Sequence, residues 1–317
     1  MFPKINPDPR FTRTVVQSGY LANTPLTVAD VGASLGCPGY WEVFLNQLQF
    51  IGFEPNPDEF KKCAQTPNKR FYPVALGKGR EHKTITITRW PYSSSTIPFD
   101  MDFWNRFPNA HMFEKVRTET FETVDFDSFC VENGIAGVDV MKLDTEGMEL
   151  EILQGSASML DKSVIAVMVE VAFYPYHLER PLFADVDSFL RSHGFTLYDL
   201  ETVRLARSSL PPLETLVADG SHYGQIVAGD ALYVVDSVAT ARTLTEPQPA
   251  RIIKTVCLFE LFSLNDSAIE LLEFALKHSL IPKEFGGVID LLVRPVFNRY
   301  VSLDHYRNIF KSLPQVI

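Results

Sequence analysis

The chain has 317 residues, 46% of them hydrophobic, and a formal net charge of −10. Such a length buries one large core with room for an appendage, while the acidic balance excludes a broad nucleic-acid surface, which needs Lys and Arg clustered against phosphates. The four cysteines, Cys37, Cys63, Cys130 and Cys257, form no Cys-x-x-Cys pair, so neither a zinc ribbon nor a disulfide framework is indicated. No apolar run reaches membrane-spanning length and the N-terminus has no signal core, so a cytoplasmic protein without a membrane span is expected.

Residues 1–26 form a proline-containing segment whose mixed stretch, Phe11–Leu21, is expected to cover one sheet edge. Val28–Gly36 (Val-Ala-Asp-Val-Gly-Ala-Ser-Leu-Gly) reads as an apolar strand ending on Asp30 and a turn containing Gly32 and Gly36. A helix over Tyr40–Leu48 follows, with Pro38 in its first turn. Phe50–Glu54 is a second strand, Pro55–Asp58 a helix start, and Lys69–Leu76 a third strand closed by Gly77-Lys78-Gly79. This alternation predicts a parallel, doubly wound sheet. Lys83–Arg89 and Val116–Val124 alternate strictly and read as half-exposed strands. The stretch between them, with Ser93–Ser95 and then Phe99, Phe103, Trp104, Phe107 and Phe113, is a lid, an acceptor wall or a loop packed on itself.

Asp125–Asn133 reads as a helix stopped by Gly134, Val138–Leu143 as a strand, and Met148–Leu160 as a helix. Ile165–Val171 is a buried strand, Leu182–Ser192 a helix and Phe195–Leu200 a strand. Residues 205–224 are loop, and Gly229–Val235 closes the sheet. From Ala239 the pattern turns helical over Arg251–Leu264, Asp266–Ser279 and Phe285–Tyr300. The expected division is 1–26, a sheet domain over 27–238, and a helical extension over 239–317, whose apolar faces pack on one another and on the sheet domain or form a homodimer surface.

Carboxyl ends of parallel strands line the ligand crevice of an open α/β sheet, so Asp30, Glu54, Asp144 and Glu146 are expected to face one crevice. The turn spacing, Asp-x-Gly-x-x-x-Gly, departs from the Gly-x-Gly-x-x-Gly of pyrophosphate binding. An acidic Asp30 suits a ligand with a cationic sulfonium and ammonium, S-adenosylmethionine, better than an anionic pyrophosphate. Glu54 can accept both hydroxyls of a ribose.

Several motifs then agree in order: Asp30–Gly36, Phe53-Glu-Pro-Asn-Pro57, Val74-Ala-Leu-Gly77, Ser93–Ser95, Thr123-Val-Asp-Phe-Asp127 and Lys142-Leu-Asp-Thr-Glu-Gly-Met-Glu-Leu-Glu-Ile-Leu-Gln-Gly155. From about residue 27 to residue 236 the chain resembles the FkbM-type S-adenosylmethionine-dependent methyltransferases. The resemblance implies a Rossmann-like class I methyltransferase fold: a mostly parallel seven-stranded sheet with one reversed strand and helices on both faces, here with an α-helical C-terminal extension. It implies methylation of a hydroxyl on a small molecule, often a sugar or natural product, with S-adenosylhomocysteine as the product. Carried over by position, Asp30, Gly32, Ala33, Ser34 and Gly36 hold the methionine part of the cofactor. Glu54 and Pro55 stand at the ribose, Ala75 and Leu76 near the adenine, and Asp144, also a cofactor contact, faces the acceptor or the reacting centre together with Glu146. Ser34 stands where the family commonly has Asn, and the extension lies outside the shared core.

An alcohol acceptor must lose its proton as the new bond forms, which needs a positioned base or a metal. Asp144 or His177 is the expected base, with Glu146 and Glu170 shaping the pocket; no metal-ligand pattern is specific enough to assign. A nicotinamide-dependent oxidoreductase and a non-catalytic binding module that keeps the cofactor fold are the competing readings.

Overall fold

The computed structural model describes residues 4–211, 223–236, 238–239 and 248–312. Among these, Thr27–Pro38 and Gln49–Val235 form one compact unit, and Lys4–Leu26, Gly39–Leu48 and the residues after Val235 form a second.

The first unit carries ten strands: β1 (Leu26–Val31), β2 (Leu48–Phe53), β3 (Lys69–Tyr72), β4 (Ala75–Gly77), β5 (His82–Thr88), β6 (Lys115–Asp125), β7 (Val140–Leu143), β8 (Ala166–Ala172), β9 (Phe195–Leu205) and β10 (Gln225–Val235). Seven make one sheet in the order β3-β2-β1-β7-β8-β10-β9. β1 runs parallel to β7, β7 to β8 and β2 to β3, whereas β10 is antiparallel to both its neighbours. This is the mostly parallel sheet with one reversed strand that the sequence implied. β1, β2, β7 and β8 are buried almost along their whole length, as parallel strands covered on two faces must be. Phe53, Phe126, Phe129, Met141, Val167 and Leu190 belong to the core they build.

The expected third strand is two strands. Pro73, which has no N–H for a ladder, lies between β3 and β4, and the chain there leaves the large sheet for a small one ordered β4-β6-β5. The expected Met148–Leu160 helix is likewise two, Glu149–Gln154 and Ala157–Lys162. Gly155 lies at the break because a Cβ there would stand 2.2 Å from the Gly77 carbonyl oxygen. The last strand pair runs further than its apolar patterns, to Leu205 and from Gln225. Of the predicted loop 205–224, residues 212–222 lie outside the described residues. The aromatic stretch is packed on itself: Phe103, Trp104, Phe107 and Phe113 are buried in a cluster with Tyr176, Leu205 and Val227.

In the second unit, helices Arg10–Gln17, Pro249–Leu261, Asn265–Lys277 and Leu303–Ser312 are joined by 3-10 segments at Gly39–Gln47 and Lys283–Leu292. Two predicted α-helices thus become tighter or shorter turns. The first breaks at Leu45, which has φ 51°. In the second, Phe285–Tyr300, helical geometry stops at Leu292, two residues before Arg294-Pro295, and the residue preceding a proline is held away from helical angles. Arg10 closes over the end of Lys283–Leu292, donating to the carbonyls of Leu291 at 2.9 Å and Val293 at 3.0 Å. Among the described residues no helix is long and apolar enough to cross a membrane.

Candidate active site

Three strand ends meet at the glycine turn. Gly32 and Ala33 both donate to the carbonyl of Phe53, at 3.0 and 3.1 Å, which ties the turn after β1 to the end of β2. Asp144 N donates to Val31 O at 3.1 Å, tying it to the end of β7. A Cβ on Gly32, whose φ is +88°, would fall 2.1 Å from the Asp144 carbonyl oxygen. The protein's own packing therefore requires this glycine.

Asp30 is 3% exposed. Its register partner Lys142 places Nζ 3.2 Å from Asp30 Oδ1 and 3.3 Å from Asp144 Oδ2. Asp30 Oδ1 nevertheless accepts no aligned hydrogen bond. Burial raises the Asp30 carboxyl above its ordinary value against the pull of Lys142. Burial pulls Lys142 down, but the two carboxylates outweigh it and hold the ammonium above its ordinary range. Glu54, one residue past β2 and 6% exposed, accepts from Asn56 N at 2.8 Å. Its carboxyl is raised chiefly by burial and further by the neighbouring charges of Glu59 and then Asp30. Asp144 is the open member, with half of its side chain exposed.

Beside them lies a buried charge cluster. Arg180 Nη2 stands 2.6 Å from Glu170 Oε2 and 3.6 Å from Glu149 Oε2, and Nη1 stands 4.0 Å from Glu146 Oε2. The same guanidinium donates to the Tyr176 hydroxyl and lies 3.3 Å from His177 Nδ1. Glu149 also accepts from Thr145 N at 2.9 Å and Gly147 N at 3.0 Å, which fixes the turn where Glu146 adopts φ 57°. Ser95 Oγ donates to the Glu146 carbonyl at 2.6 Å. One guanidinium cannot offset three ionised carboxylates in a shielded site. Burial and mutual repulsion accordingly push Glu146 well up, and burial, opposed by Arg180, pushes Glu170 up to about 7. On β10, Asp230 is the register partner of Glu170 and is pushed up to about 6 by burial and then by Asp144. His177 is 1% exposed, its Nε2 has no hydrogen-bond partner and its ring centroid lies 4.4 Å from that of Phe99. Burial and Arg180 pull it down to about 3, so it is neutral at pH 7.

The sequence profile of the methyltransferase FkbM domain matches residues 30–197, more than half of the chain. The chain belongs to the FkbM methyltransferase family. Over 145 residues it is 30% identical to the hexuronic acid methyltransferase AglP of Haloferax volcanii, covering 45% of this chain and 54% of that one. It thus spans about half the length of that curated relative. Similar solved structures include an FkbM methyltransferase from Methylobacillus flagellatus KT, with 12% identity, a TM-score of 0.35, and 66% of this chain and 43% of that one covered. Magnesium protoporphyrin IX methyltransferase from Synechocystis PCC 6803 is another, with 9% identity, a TM-score of 0.31, and 72% and 79% covered.

In this FkbM chain the predicted residues fall into groups. Asp30, Gly32, Ala33, Glu54 and Asp144 meet at the strand ends; Ser34 is half-buried, Gly36 has φ +76°, and Pro55 is exposed. Ala75 and Leu76 are buried on β4, paired with β6 in the small sheet. Glu146 and His177 belong to the Arg180 cluster. Sequence reasoning assigned no role to Arg180, Lys142, Glu149, Tyr176 or Asp230. Lys142 was legible as the residue two before Asp144 on one strand face, and Glu149 as a carboxylate opening a helix just after Thr-Glu-Gly. A lone Arg in the loop Tyr-His-Leu-Glu-Arg-Pro carries no such signal.

Proposed function

We propose that this chain transfers a methyl group from S-adenosylmethionine to a hydroxyl of a small saccharide-like acceptor. The observation that carries the reading is the meeting of Asp30 and Glu54 at the carboxyl ends of neighbouring strands beside the Gly32 turn, with Asp30 Oδ1 enclosed and lacking an aligned donor. Two shielded carboxylates at the ends of neighbouring strands fit a ligand that brings hydroxyl donors and positive charge, and the residues present fit this group. Glu54 would take the ribose hydroxyls, and Asp30, Ala33, Ser34 and Gly36 would line the methionine end. When bound, S-adenosylmethionine supplies an electrophilic methyl on a sulfonium. The identity shared with AglP supports a sugar acceptor and transfer to oxygen.

The chain's own part is alignment and proton removal. Fixing two reactants in line contributes up to roughly 7–11 kcal/mol in favourable cases. As the acceptor oxygen forms its bond to carbon, its proton passes to a carboxylate, for which Asp144 is the candidate: it is open to the crevice, and Lys142 holds it from one side. His177 is the other candidate from sequence, and its 1% exposure gives an acceptor far less access. Glu146 and Glu170 shape the acceptor side. Calorimetric titration tests the reading. Wild type should bind S-adenosylmethionine, and Glu54→Ala should weaken binding about tenfold or more, the size of a lost charge-assisted hydrogen-bond pair. Equal affinity, or tight binding of NAD in its place, rejects the assignment.

A further inference from the structure

Arg207 is half-buried and held by two rings and an amide. It lies two residues past the end of β9, and β9, antiparallel to β10 as β8 is, points the same way as β8. Arg207 therefore stands at the edge of the sheet where the parallel strands end, the edge that carries Asp144. Its Cζ lies 4.4 Å from the ring centroid of Phe107 and 5.5 Å from that of Phe103, and Nη2 donates to the side-chain oxygen of Gln225. Nη1 is enclosed and, among the described residues, has no hydrogen-bond partner. Leaving a buried donor unmatched is costly, and more so when it is charged.

Arg106 is a second cation at the same place. Its carbonyl accepts from Ser208 N at 2.9 Å, which draws its turn against the segment that follows Arg207. Burial and then the Arg106 charge pull the Arg207 guanidinium down from its ordinary value. Among the described residues neither side chain is ion-paired to a carboxylate, although the chain carries 39 Asp and Glu against 29 Lys and Arg. Meanwhile the cations of the crevice are taken, Arg180 by Glu146, Glu149 and Glu170 and Lys142 by Asp30 and Asp144. A ligand with an acidic group would find its counter-charge at Arg207. A cluster of aromatic rings links the two places: the Phe103 ring stacks on Tyr174 at 4.3 Å, and Trp104 Nε1 donates to the carbonyl of Tyr176, whose hydroxyl is an Arg180 partner.

We infer that Arg207, assisted by Arg106, is the anion-recognition subsite of the acceptor, taking the carboxylate or phosphate of an acidic saccharide while the hydroxyl to be methylated lies on the Asp144 side. This rests on the methyl-transfer reading above. A planar guanidinium matches either oxyanion.

The test is calorimetry on the full chain saturated with S-adenosylhomocysteine, titrated with methyl glucuronoside, glucose 6-phosphate and uncharged methyl glucoside. At least one anionic sugar should bind about tenfold or more tightly than methyl glucoside. A preference for the glucuronoside identifies a carboxylate, and a preference for glucose 6-phosphate a phosphate; either supports the subsite. Arg207→Gln should abolish the preference while S-adenosylhomocysteine affinity stays unchanged, and Arg207→Lys should keep part of it. If Arg207→Gln does not fold, Arg106→Gln decides, with an expected several-fold weakening for the anionic sugar alone. Wild type that binds charged and neutral sugars alike, or binds none, overturns the subsite, as does an unchanged preference in Arg207→Gln, or in Arg106→Gln where that variant decides. The underlying reading fails by a different sign: no binding of S-adenosylhomocysteine by wild type removes methyl transfer, and the acceptor role of Arg207 with it.

Discussion

Glu260 in the helical unit and Glu170 in the sheet unit are both carboxylates shielded from water, and their surroundings differ in kind. Glu260, 1% exposed, accepts from Phe11 N at 2.9 Å and from Thr12 N and Thr12 Oγ1 at 2.7 Å each. Both its oxygens are met by neutral donors on the first turn of helix Arg10–Gln17, where the helix dipole also favours negative charge. Glu170 instead shares one guanidinium with Glu146 and Glu149, and burial with too little positive charge raises the carboxyls of Glu146 and Glu170. A fully matched carboxylate fastens two segments. An over-acidic cluster beside an open Asp144 responds to pH, a property shared with many functional sites.

The comparison predicts a ranking. The largest effect should come from Arg180→Met, which strands three carboxylates; breaking such a buried pair costs about 3–5 kcal/mol. The loss measured by urea unfolding should be greater at pH 8 than at pH 5, where the carboxyls can take up protons. Equal losses at the two pH values would mean that Arg180 holds its neighbours by packing alone. Glu260→Ala should cost about 1–3 kcal/mol, the price of leaving the helix-start donors unmatched, without changing affinity for S-adenosylmethionine. A changed affinity would end the division of roles.

Asp144→Asn should lower the maximal rate of methyl transfer by about 10²–10⁴, the usual contribution of a positioned base, and leave cofactor affinity and Tm close to wild type. Retained turnover would move the base to another group. The pH dependence of stability separates two smaller effects. The Glu170 carboxyl sits at about 7 against an ordinary 4.5, so between those values the folded chain keeps a proton that the unfolded chain releases, and stability falls as pH rises. His177 sits at about 3 against 6.5, so between those values the unfolded chain takes up a proton that the folded chain refuses, and stability rises with pH. In thermal melts Glu170→Gln should flatten the decline above pH 5, and His177→Phe should flatten the rise below pH 6, each by a few degrees in Tm. Unaltered profiles would show that neither group titrates as its burial requires.

Much of the crevice was legible residue by residue, because strand periodicity fixes which side chains stand at strand ends. The placement of Asp30, Glu54 and Asp144 at or beside strand ends follows in that way. The atom that would crowd a side chain on Gly32 is the Asp144 carbonyl, far away along the chain. The sequence offers His177 beside Asp144 as an alternative base, and only packing against Phe99 and Arg180 encloses it. The split of the third strand was foreshadowed by Pro73. The break at Gly155 was not, since its cause is Gly77, distant in sequence.

By itself the sequence determined the alternation of strands and helices, the acidic strand ends and the family, because hydrophobic periodicity, turn residues and ordered motifs are local properties of a chain. Only the tertiary structure decided that Arg180 gathers three carboxylates, that Lys142 joins Asp30 to Asp144, and that Arg207 keeps an unmatched nitrogen. Charge pairing depends on distances of a few ångströms between segments far apart along the chain, and no pattern along one segment encodes them.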